Sequence, residues 1–145
     1  MPKAKIPAPI VIEFTVAYVV FGGNAGGGQY FYSFSPDVVM AYKGQKPVQM
    51  VYKLDEGVSK HFIIKSLLSS DAKDQIYDIK IAADGRSVSL MNRNDQPTLI
   101  FFSVLVHDTK RNAMVPCDPQ VGNDPEITPQ SGTIKKTGKP AKKSG

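Results

Sequence analysis

The chain has 145 residues, 41% of them hydrophobic and 21% charged, which fits one soluble globular domain with a real core. Its net charge of +5 sits at the ends: Lys3, Lys5, Lys135, Lys136, Lys139, Lys142 and Lys143 are seven of the 18 basic residues, which leaves 11 against 13 acids across residues 6–129, about −2. The composition therefore excludes a basic body, and the single cysteine, Cys117, excludes an internal disulfide and suits a reducing compartment.

The N-terminal run MPKAKIPAPIVIEFTVAYVV does not read as a secretory signal. Prolines come early, Glu13 interrupts the apolar stretch, and no small-residue cleavage site follows. It is also too short and too polar to span a bilayer, so a cytoplasmic protein without membrane association is expected. Within it, Ile10–Phe21 predicts a long strand whose even positions, Ile12, Phe14, Val16, Tyr18 and Val20, form one buried face.

FGGNAGGGQYF follows, with five glycines between two apolar runs, and QYFYSF reads as the second strand. SPDVVMAY suits either a helix capped by Ser35 or a strand; the turn signal KGQKP so soon afterwards favours the strand. VQMVYKL and KHFIIKSLL are the next two strands, and SSDAKDQ is a polar connection with room for one helical turn. IYDIKIA places Tyr77, Ile79 and Ile81 on one face and Asp78 and Lys80 on the other. ADGRS is a hairpin signal, VSLMN returns, RNDQP turns again, and TLIFFSVLVHD is the last long strand.

Seven or eight strands with turn signals about every ten residues predict an all-β, antiparallel sandwich over residues 1–129. From about Val115 the proline-rich segment VPCDPQVGNDPEITP is expected to run extended, over the surface or along an edge, and not as a central strand. Residues 130–145 have almost no apolar content and read as a disordered basic tail.

The stretch FSPDVVMAYKGQKPVQMVYKLDEGVSKHFII resembles the N-terminal half of Ig-like and cupredoxin-like sandwiches. Phe34, Pro36, Gly44, Val48 and His61 occupy the places of that pattern. The resemblance implies a fold, and the cupredoxin branch implies a copper site built from a late Cys, His and Met. Here the order is His107, Met114, Cys117, with no histidine after the cysteine, so no metal is expected.

Other chemistry meets similar obstacles. A phosphate loop needs Gly-x4-Gly-Lys-Ser/Thr; Gly23 and Gly28 have the spacing, but Gln29 and Tyr30 follow. Asp118, Asn123, Asp124 and Glu126 form an acidic cluster that suits calcium oxygen ligands but lacks EF-hand spacing. His107 and Asp108 are strand neighbours and face opposite ways, so they do not form a relay. No nucleophile, base and orienting acid assemble, and neither an enzyme nor a cofactor is expected.

The sequence therefore predicts a non-catalytic binding or self-assembly module. Its expected contact residues are Gly26, Gly27, Gly28, Tyr30, Phe31 and Tyr32, together with unpaired sheet edges. A homo-oligomer is expected, with Ile10–Phe21 inviting pairing across a two-fold axis. The alternative partner is nucleic acid or another polyanion, held weakly by Lys135, Lys136, Lys139, Lys142 and Lys143, and the further alternative is a metal-binding cupredoxin-like protein.

Overall fold

The computed structural model describes residues 7–71 and 73–128. It is all-β, with ten strands: β1 (Ile10–Tyr18), β2 (Tyr30–Ser35), β3 (Val38–Tyr42), β4 (Val48–Leu54), β5 (Phe62–Ser69), β6 (Ile76–Ile81), β7 (Ser87–Asn92), β8 (Thr98–Asp108), β9 (Ala113–Cys117) and β10 (Gln120–Asp124). The first sheet has the order β2-β1-β4-β7-β6. The second runs β3-β10-β8-β5, and β9 pairs with the far half of β8. No helix among the described residues is long and apolar enough to cross a membrane.

Alternation builds the core. Ile12, Phe14 and Val16 on β1, Met50, Tyr52 and Leu54 on β4, and Ile100, Phe102, Val104 and Val106 on β8 are all buried. Each such side chain contributes roughly 1.5–3 kcal/mol by leaving water. The Tyr52 ring joins the layers, edge-on to Phe34 at 5.6 Å and to Phe102 of the other sheet at 5.9 Å.

Several expectations change. The sheets are mixed, not purely antiparallel, because β1 runs parallel to β4 and β3 parallel to β10. The strands number ten, since the proline-rich segment supplies two. It does not stay at an edge: β10 lies between β3 and β8. Pro119 and Pro125 bracket QVGND instead of interrupting it, so every residue of β10 keeps its amide. Pro116 falls within β9, whose only strand partner among the described residues is β8.

Another change concerns β1. It ends at Tyr18, and Val20 and Phe21 are 71% and 83% exposed. The strand is also internal, paired with β2 on one side and β4 on the other. Pairing covers Glu13–Tyr18 on the β2 side and Ile10–Phe14 on the β4 side, so β1 is not the free edge strand that pairing across a two-fold axis was expected to use. The alternation expected for β6 breaks at an irregularity between Tyr77 and Lys80, where Asp78 has φ 59°; Ile79 and Ile81 are exposed on this edge strand.

Candidate functional site

The glycine-rich segment closes the hairpin between β1 and β2. Its backbone bonds to itself: Val19 N–H donates to the Gln29 carbonyl at 2.8 Å, and Gly23 N–H to that of Gly28 at 2.9 Å. Asn24 and Ala25 N–H both donate to the Tyr30 carbonyl, at 2.8 and 3.1 Å. The Asn24 side chain adds a reciprocal pair, Nδ2 donating to Tyr32 O at 2.9 Å and Oδ1 accepting from Tyr32 N–H at 2.8 Å.

Two glycines explain the composition. Gly27 has φ 69°, a left-handed conformation that costs any residue with a Cβ. A Cβ on Gly23 would lie inside the backbone carbonyl of Tyr30. The amides that a phosphate cradle would offer are already spent at Gly23, Asn24, Ala25 and Gly28, so the segment is an ordered hairpin cap.

The three aromatics after the loop separate. Tyr30 turns inward and is 3% exposed, so it presents nothing to a partner. Phe31, paired with Ala17 across the strands, faces out at 46% exposure, and Tyr32 is half-buried. Gly26 and Gly27 are exposed and Gly28 half-buried.

Beneath the hairpin lies a constellation that spacing alone does not reveal. Asp108, the last residue of β8, is fully buried, and its carboxylate accepts the Tyr30 hydroxyl at 2.6 Å. It also accepts the Lys110 and Arg111 amides at 3.0 and 3.2 Å and Arg111 Nη1 at 3.2 Å. The Arg111 guanidinium stacks 3.8 Å from the centre of the Tyr18 ring, and Tyr18 meets Tyr30 edge-on at 5.5 Å. His61 Nε2 stands 3.4 Å from Asp108 Oδ1 but out of hydrogen-bonding line, and that buried nitrogen has no hydrogen-bond partner. An open cleft of about 580 Å³ adjoins the cluster, lined in part by Tyr18, Asp55, Ser59, His61 and Arg111.

Burial alone would raise the Asp108 pKa. The hydrogen bonds from Tyr30, Arg111 and Lys110 outweigh it and hold the carboxyl below the usual range. Tyr30 shifts the other way: burial first, then the bond to Asp108 and its charge, push the phenol up to about 12. At neutral pH the pair is a phenol donating to a carboxylate, a charge-assisted bond between the two sheets.

The remaining candidates scatter. His107 points away from Asp108 and meets Asn112 Oδ1 at 3.0 Å, with Met114 opposite it on β9. Cys117 pairs with Val104 and faces the core, where burial and then the Asp118 charge push its thiol up to about 12. His61 lies at the cleft, so the four soft ligands do not meet, and among the described residues no three His, Cys, Asp or Glu side chains gather as metal ligands.

Of the acidic cluster, Asn123 is buried and exchanges hydrogen bonds with Asn92, while Asp118 precedes the start of β10. Lys135, Lys136, Lys139, Lys142 and Lys143 lie outside the described residues, as does the predicted tail. No protein-family model matches the chain, and no curated protein matches it.

Proposed function

We propose that this chain is a non-catalytic protein-binding module, a sandwich of Ig-like or cupredoxin-like kind working in the cytoplasm, and that its contact surface for a partner protein is the β1–β2 hairpin. The observation that carries this reading is Phe21, 83% exposed on a loop whose backbone is hydrogen-bonded into one shape. Val20 and Phe31 add apolar surface to the same hairpin. An aromatic held ready on an ordered loop loses little conformational freedom on binding, which is how interface anchors gain affinity.

Two features support the non-catalytic part. The Asp108 carboxylate is committed to four hydrogen bonds within the fold, so it is not free to accept a substrate proton. The Cys117 thiol is buried with its pKa near 12 and stays protonated at neutral pH, which removes it as a nucleophile.

The test is cross-linking in native cells with three chains: wild type, Val20→Ser/Phe21→Ser, and a Gln49→Ser control on the outer face of the first sheet. Partner proteins held by the wild type and the control, and lost by the hairpin variant, are the expected outcome. If the hairpin variant keeps its fold and captures the same set, the reading is wrong.

A further inference from the structure

We propose that the outer face of the second sheet seats a second copy of this chain, face to face about a two-fold axis. This goes beyond the hairpin reading, uses a different surface, and stands without it.

The face is built row by row. Register aligns Met40, Gly122 and Leu99 across β3, β10 and β8, then Val38, Gln120 and Phe101. Farther along β8, Leu68 lies opposite Ser103, Pro116 opposite Leu105, and Met114 opposite His107. Val38, Met40, Leu68, Leu99, Phe101 and Met114 are 38–58% exposed, and Pro116 is exposed as well. Gly122 keeps the middle flat, since it has no side chain and Met40 lies over it.

Two arguments select the occupant. The first is area. Seven large side chains about half exposed present on the order of 600 Å² of apolar surface, the upper end for one patch on a monomer and most of the roughly 800 Å² per partner in a stable interface. The second is charge. The two rows across β3, β10 and β8 carry no ionised side chain; Asp118 lines the groove between Leu68, Phe101 and Pro116, and Asp124 stands at the margin, opposite Tyr42. The two rows offer a charged partner nothing to pair with, and a second copy meets them without repulsion in any two-fold arrangement that keeps the two Asp118 carboxylates apart. Residues 129–145 do not suit the site either, with five lysines and Ile134 as their one large apolar side chain.

The experiment is sedimentation equilibrium of the full chain over a wide concentration range, with Phe101→Glu, Leu68→Glu and Phe21→Ser beside the wild type. A concentration-dependent dimer is expected. Each glutamate variant should weaken it by about 30-fold or more, as loss of a central anchor does. All four chains are checked for unchanged near-ultraviolet circular dichroism, and Phe101→Ser serves as a milder second variant.

A wild type that stays monomeric at every concentration overturns the inference, whatever else binds the face. So does a dimer that survives Phe101→Glu in folded protein. A dimer lost in Phe21→Ser but kept in Phe101→Glu moves self-association to the hairpin and also overturns it. Wild-type dimerisation with Phe21→Ser unaffected supports this face and leaves the hairpin reading to its own test.

Discussion

The two ends of the sandwich are braced by different chemistry. At the hairpin end, Tyr30 of β2 donates to the buried Asp108 of β8. At the other end, Asn92 of β7 and Asn123 of β10 exchange amide hydrogen bonds at 2.7 and 2.9 Å. Asn123 also donates to Gln75 at 3.2 Å, and Gln75 accepts the Asp95 and Gln96 amides. Both braces join one sheet to the other; the first does so through an ionised carboxylate, the second through neutral amides, behind which the Asp95 and Asp71 carboxylates accept from Gln75 at 2.8 Å each. The comparison teaches that the same mechanical task can be met by neutral amide bonds between the sheets or by an ionised acceptor, and that the ionised acceptor ties the joint itself to pH.

The largest expected effect is at the charged brace. Asp108→Ala removes the acceptor of the Tyr30 hydroxyl, the Arg111 guanidinium and two amides, and it should cost about 3–5 kcal/mol in denaturant unfolding. A loss under 1 kcal/mol would show that the cluster is decoration. The acid limb sharpens this. The folded-state pKa of Asp108 is depressed, so its contribution is present above the unfolded value near 3.9 and is lost as pH falls through the folded value. In Asp108→Asn, the fall of melting temperature below about pH 4 should be shallower than in the wild type.

Tyr30→Phe comes next, at about 1.5–3 kcal/mol for one buried bond to a charged acceptor. It should also flatten the alkaline limb. The phenol's folded-state pKa is raised to about 12, so its contribution is present below pH 10 and lost as pH rises toward that value. Equal alkaline slopes for wild type and variant would count against the bond.

At the neutral brace, Asn123→Ala should cost about 1–3 kcal/mol, because it strands the Asn92 amide. Asn92→Leu/Asn123→Leu should cost about as much as the single variant, since the paired amides leave together and Gln75 keeps other donors, but the buried Asn94 amide loses Asn92 Oδ1 as its acceptor. A double variant much more damaged than the single would mean that the two amides do more than satisfy each other and the Asn94 amide. The smallest effect belongs to Gly27→Ala, about 1 kcal/mol, from a left-handed φ at a position with open space around it.

Strand positions and the inward faces of β1, β4 and β8 were legible from alternation, because burial on one side of a pleat leaves a period of two. Parallel pairing was not: β1 and β4 read the same whichever way they run, and only their contact decides. The burial of β10 was hidden by its flanking prolines, which mark turns in sequence and here frame a strand. Asp108 carried a signal that went unread. It continues the buried series Ile100, Phe102, Val104, Val106, just as Asn92 continues Val88, Leu90. A polar residue that extends a core-facing alternation needs an internal partner. The partners themselves, Tyr30 and Arg111, are named only by the fold.

The position of β10 sets a timetable for synthesis. It is the tenth strand in chain order, yet it wedges between β3 and β8, which emerge from the ribosome well before it. Until Asp124 is clear of the exit tunnel, the open flanks of those two strands wait without their permanent neighbour, as templates for any passing extended peptide. The closing step spans most of the chain, and such distant pairing is intrinsically slow. Newly made protein therefore spends its most vulnerable interval before β10 docks, and that interval is where a chaperone would matter.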